Sequence, residues 1–153
     1  MRRRRSEESI GLVEGTVVVI DLDRFSEVVE ERGWSEYEPN PATGLLTHLV
    51  EMIVQKHHGY VVYGLDEERG TEEVVLEFPL TSPEELRGDL EEMLRELNRL
   101  GVAATIVAVY GAVGLVNRRL DRRAAYGATP ARRLASKILR EAKRRGGNRV
   151  VIA

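Results

Sequence analysis

One stretch, TVVVIDLD from Thr16 to Asp23, limits what this chain can become. Thr16 to Ile20 is an unbroken run of β-branched residues, the composition of a buried strand, and two carboxylates follow directly. A carboxylate buried without a partner is costly. Asp21 and Asp23 therefore require a divalent cation, a basic side chain, or exposure at the strand's end. Hard oxygen donors of this kind suit Mg²⁺. The simpler arrangement has Asp23 capping a helix over 24–32 and Asp21 paired with an arginine.

The chain has 153 residues, enough for one core, and 42% of them are hydrophobic, which excludes a disordered polymer. With no cysteine, disulfides and thiolate metal centres are excluded. No apolar run approaches the roughly 18 residues of a membrane span, and MRRRR has no apolar segment behind it to make a secretory signal. We read a cytoplasmic protein with no membrane partner.

The net charge of −2 conceals a division. Residues 6–117 hold 7 Lys+Arg against 23 Asp+Glu, whereas residues 118–149 hold 12 against 2. An acidic body with a basic C-terminal part can hold a metal on one side and phosphates on the other. It can also bind nucleic acid through the basic helix and Arg2–Arg5, or pair its two parts internally. Residues 1–14 are read as a mobile basic arm and residues 15–153 as one domain.

Along that domain, Phe25, Val28 and Val29 mark a short helix ending at Gly33, and Trp34 to Pro41 reads as a loop. Leu45, Leu49, Met52 and Ile53 recur at helical spacing. His48, His57 and His58 lie on or beside that helix and are taken as surface residues. Tyr60–Tyr63 and Glu73–Phe78 read as a hairpin whose turn is rich in acids. Ser82-Pro83-Glu84-Glu85 opens a helix with a capping box, and Leu86, Leu90, Met93, Leu94 and Leu97 form its apolar stripe. A strand over 102–113, an irregular basic connection over 114–128, a helix from Thr129-Pro130 and a final strand over 149–152 complete the order βααββαβαβ. Such an order fits an α+β, ferredoxin-like domain, with a mainly antiparallel sheet and helices on one face. Its inner βαββαβ unit brings the end of the first strand beside the hairpin, so Asp21 and a hairpin acid converge.

Three segments resemble the palm-type nucleotidyl cyclase and GGDEF superfamily. Ile20-Asp21-Leu22-Asp23-Arg24-Phe25 is similar to its IDxDxF segment. Arg69-Gly70-Thr71-Glu72-Glu73 stands where GGDEF stands, matching at Gly70 and Glu72. Ala142 to Arg149, AKRRGGNR, is similar to the AKxxGRN close, with Gly147 in place of its arginine. The resemblance is nearer to the archaeal GTP cyclohydrolase III branch, through Trp34 with Pro39-Asn40-Pro41, Val62 to Asp66, and Thr129-Pro130 with Leu134-Ala135-Ser136-Lys137 and Leu139.

The resemblance implies a Mg²⁺-dependent enzyme acting on a purine nucleoside triphosphate, most plausibly GTP. It implies metal ligands among Asp21, the Leu22 carbonyl, Asp23 and either Asp66 or Glu72, and nucleotide contacts from Phe25, Asn40, Gly70, Lys137, Lys143 and Arg144. Val29 replaces the asparagine that diguanylate cyclases direct at guanine, which argues against diguanylate synthesis. GTP cyclohydrolase III chains carry two palm units and this chain has length for one, so a homodimer or higher oligomer would restore the pair. Two other readings stand beside this one: a nucleotide-binding regulatory domain without turnover, and a ferredoxin-like RNA-binding module. The aromatic content of 5% leaves the last few stacking platforms.

Overall fold

The computed structural model describes residues 12–35, 37–114 and 121–153. Strand β1, Leu12–Leu22, is longer than the apolar run that announces it and lies in the middle of a five-stranded sheet. β2 (Tyr60–Tyr63), β3 (Glu73–Pro79), β4 (Ala104–Gly114) and β5 (Arg149–Ile152) complete that sheet, in the order β2-β3-β1-β4-β5. β1 pairs antiparallel with β3 and β4, β2 antiparallel with β3, and β5 runs parallel to β4. The central strand and adjacent hairpin are as the sequence predicts. Residues 12–14 belong to β1 rather than to an arm, and the rest of that arm lies outside the described residues.

Side chains alternate across the sheet with period two. Val18, Ile20 and Leu22 face one core with helices α1 (Phe25–Arg32), α2 (Pro41–His57) and α3 (Pro83–Arg99), through Phe25, Val29, Leu46, Val50, Leu86, Leu90 and Leu97. Val17 and Val19 face a second core with α4 (Arg122–Gly127) and α5 (Pro130–Arg144), through Ala125, Ala131, Ala135 and Leu139. The α+β architecture stands, but helices cover both faces rather than one. The expectation of a single layer fails because every β1 residue from Thr16 to Ile20 is apolar enough to be buried on either side, and both sides are.

Local chemistry explains the boundaries. Asn40 caps α2 and Ser82 caps α3, each in a capping box with proline in the first turn, and Thr129 caps α5. α1 ends at Gly33 in a left-handed conformation, φ 71°. The basic stretch read as irregular contains α4, which Asp121 caps by accepting from the Ala124 N–H at 2.9 Å. His57 is not merely a surface residue, since its Nε2 lies 2.7 Å from Asp89 and joins α2 to α3.

Candidate functional site at the end of β1

Because Val17 and Val19 face α4 and α5, period two sends Asp21 to the same side, at the mouth of that second core. Its cross-strand neighbours are Glu73 in β3 and Thr105 in β4. Burial raises the Asp21 carboxyl to about 6; Lys143 opposes the shift, while the negative charges of Glu73 and Asp23 add to it.

Lys143, in the last turn of α5, reaches the three groups at the end of β1 that the resemblance assigns to a metal, but not the hairpin acid. Its Nζ donates to Asp23 Oδ1 at 2.8 Å, contacts the Leu22 carbonyl at 3.4 Å, and sits 3.7 Å from Asp21 Oδ2. Asp23 is 8% exposed and fully engaged: Oδ1 also accepts from the Thr105 hydroxyl at 2.8 Å, and Oδ2 accepts from the Asn148 N–H at 2.7 Å. Asp23 is therefore not the cap of α1. That position is held by Arg24 in a left-handed conformation, φ 47°, without a side-chain cap.

The Gly146-Gly147-Asn148 turn is shaped by this contact. All three residues have positive φ, and a Cβ at Gly147 would lie 2.6 Å from Asp23 Oδ2. That proximity explains why no arginine occupies position 147. Asn148 also accepts at its side-chain oxygen from Asn98 at 2.9 Å, so the turn ties β1 to the end of α3.

Neither hairpin acid proposed from the motif is the neighbour of Asp21. Glu73 is, and it accepts two bonds from Arg122, at 2.9 and 3.2 Å, and one from the Tyr126 hydroxyl at 2.7 Å. Burial, followed by the Glu73 charge, pushes the Tyr126 phenol upward. The motif matches at Glu72 and not at Glu73, so the sequence alone does not single Glu73 out. Only the β1–β3 register shows which acid shares a face with Asp21. Glu72 is bound next to it through its backbone, whose carbonyl accepts from the Leu22 N–H at 3.0 Å. Asp66 is exposed and closes a turn, accepting from the N–H groups of Glu68 and Arg69. The hairpin loop lines a cleft of about 440 Å³ that includes Tyr63, Asp66, Gly70, Glu72 and Glu73.

The nucleotide candidates are scattered. Phe25 is a core residue, 8% exposed. Asn40 is the cap of α2, with its Nδ2 buried and unpartnered among the described residues. Gly70, φ 103°, lies against Thr43, where a Cβ would come within 2.7 Å of the hydroxyl. Lys137 and Arg144 are exposed on α5, and neither is seen in the Asp21 cluster. Lys143 alone of the six joins the end of β1. Trp34 packs against the core, whereas Tyr37 is 71% exposed with the Arg69 guanidinium over its ring.

Among the described residues no three acidic or histidine side chains converge so as to hold a metal ion. The Asp21, Leu22 and Asp23 oxygens face an ammonium, and Asp23 has no oxygen left without a donor. As arranged, the set does not fit Mg²⁺, which demands short, near-octahedral oxygen contacts. No described helix is long and apolar enough to cross a membrane.

No family model and no curated protein matches the chain. Its structure is similar to that of a microbial GGDEF domain solved in a study of its interaction with cyclic di-GMP: TM-score 0.58, 19% identity, covering 92% of this chain and 78% of the other. A bacterial light-regulated adenylyl cyclase is similar at TM-score 0.56 and 15% identity, over 86% and 71% of the two chains. The guanylyl cyclase Cya2 is similar at 0.52 and 17%, over 86% and 72%. The chain has the fold shared by GGDEF domains and nucleotidyl cyclases.

Proposed function

We propose that this chain binds a purine nucleoside triphosphate, GTP foremost, at the end of β1 beside the hairpin cleft, and does so as a regulatory domain rather than as a Mg²⁺-dependent enzyme. The observation that carries this reading is Lys143 lodged against Asp21, the Leu22 carbonyl and Asp23. By the resemblance Lys143 stands at the family's phosphate-binding lysine, and as arranged the cluster leaves a divalent ion no ready set of ligands.

Turnover of the GTP cyclohydrolase III or cyclase kind is the second reading, and one observation favours it. Asp21 and Glu73 are carboxylates on opposed positions of neighbouring strands, the spacing from which two acids share a cation once their present partners are withdrawn. A homodimer would supply the second palm unit that such chemistry uses in two-unit chains. An RNA-binding role is the weakest, since Arg122, Arg132 and Lys143 of the basic part are each paired with an acid of the body.

Calorimetric titration with GTP, ATP and cyclic di-GMP, once in EDTA and once in Mg²⁺, tests the proposal, with chromatography of each mixture after incubation. The expected result is GTP binding that survives EDTA, with the nucleotide recovered intact. Product formation only in Mg²⁺ would favour the second reading. Absence of nucleotide binding under both conditions would overturn both.

A further inference from the structure

The acids at the end of β1 and the metal that the fold leads one to expect do not agree, and the disagreement has a physical cause. We infer that the Lys143 ammonium is the resident cation of this pocket, and that a divalent ion enters it only when Lys143 is removed.

An ammonium has three N–H donors and no acceptor, so it satisfies a three-oxygen pocket much as a small cation does. Lys143 meets three oxygens: Asp23 Oδ1 at 2.8 Å, the Leu22 carbonyl at 3.4 Å, and Asp21 Oδ2 at 3.7 Å. Its side chain is 29% exposed, so screening by solvent is partial. Three features hold it in place. Its helix is anchored to the sheet by Ala135 and Leu139 in the second core, with Ala142 buried beside it. Its position in the last turn of α5 is where the helix dipole favours a cation. Asp23 is fixed independently by the Thr105 hydroxyl and the Asn148 N–H, and the bare Cα of Gly147 admits that approach.

A divalent ion brought to the same oxygens would stand within a few ångströms of a positive charge and would have to strip Asp23 of its strongest donor. Removing the ammonium reverses both penalties. It leaves Asp21 and Asp23 as two carboxylates flanking a carbonyl, with the space of the lysine side chain open. The claim concerns the protein without nucleotide and stands apart from the nucleotide reading.

The test is titration of Mn²⁺, followed by water-proton relaxation above pH 7, into wild type, Lys143→Met, and Lys143→Met combined with Asp21→Asn. The single variant should bind Mn²⁺ at least about tenfold more tightly than wild type, the scale expected when a like charge a few ångströms away is deleted. Adding Asp21→Asn should abolish the gain. Should Lys143→Met not fold alone, Mg²⁺ is expected to restore its cooperative thermal unfolding, while the wild-type midpoint stays unmoved by Mg²⁺. Wild type binding Mn²⁺ as tightly as the single variant would overturn the inference. So would a Lys143→Met chain that binds no Mn²⁺ when folded, or that Mg²⁺ fails to refold.

Discussion

Two aspartates separated by one residue have different occupations here. Asp23 is held by three donors, whereas Asp21 has a lysine at 3.7 Å and shares its surroundings with two other carboxylates. The consequence is a pH dependence with a definite sign. The Asp21 carboxyl rises from 3.8 to about 6 on folding, so between those values the folded chain keeps a proton that the unfolded chain has released. Stability from this group therefore falls as pH rises through that window, and the penalty is complete above about 6. Asp21→Asn removes it. The variant should match wild type near pH 4 and be more stable by about 2 kcal/mol at pH 7.5, the order expected of a shift of this size at a partly screened site. Denaturant titrations of both proteins at several pH values measure the difference, and a variant less stable than wild type at pH 7.5 would show that the Lys143 contact outweighs burial.

At the scale of elements, the last helix and the turn after it fasten the second face of the sheet. Glu77, fully buried in β3, accepts from Arg132 Nε at 2.7 Å, and Tyr60 Oη lies 2.7 Å away. Burial first, then the bond to Glu77, drives the Tyr60 phenol upward. Arg132→Met alone leaves a buried carboxylate without its cation and should cost about 3–5 kcal/mol in thermal unfolding, while adding Glu77→Gln should recover a good part of that loss. Glycines divide in the same way. Gly147→Ala meets both a positive φ of 65° and the Asp23 carboxylate, and should destabilise. Gly88→Ala, mid-helix in α3 with open space around it, should stabilise by about 0.5–1 kcal/mol. Elements of this kind were legible in the sequence where their signals are local: the helix starts at Ser82 and Thr129, the stop at Gly33, the leucine stripe of α3, the hairpin; the Asn40 cap lies in a stretch that reads as a loop. α4 was not legible, because its six residues, RRAAYG, are too few to display a helical period. Nor was Glu73, because choosing between adjacent acids requires the β1–β3 register. The Asp23–Lys143 pair spans 120 residues, and no local signal joins its ends.

The whole molecule resolves the division of charge written along the chain. The basic C-terminal part lies over acids of β3 and the acid just after β1: Arg122 on Glu73, Arg132 on Glu77, and Lys143 on Asp23. The two parts interlock, and the final residues complete the closure on both faces. β5 adds a parallel strand beside β4 and places Val150 and Ile152 against the first core and Val151 against the second. Asn148 donates its N–H to Asp23 and holds Asn98 of α3 through its side chain. Removing residues 146–153 would expose the β4 edge, strip apolar contacts from both cores, and take one of three donors from the buried Asp23 carboxylate. A buried acceptor losing a donor costs about 1–3 kcal/mol by itself, and the apolar losses come on top of it. For a domain whose total stability is of the order of 5–15 kcal/mol, the truncated chain should lose a large part of its margin. Thermal unfolding and limited proteolysis against the full chain measure it. The expected outcome is a midpoint lowered by many degrees, with cleavage in α5 as well as at the new end. An unchanged midpoint would mean that the sheet closes without β5 and that Thr105 and Lys143 alone suffice to hold Asp23.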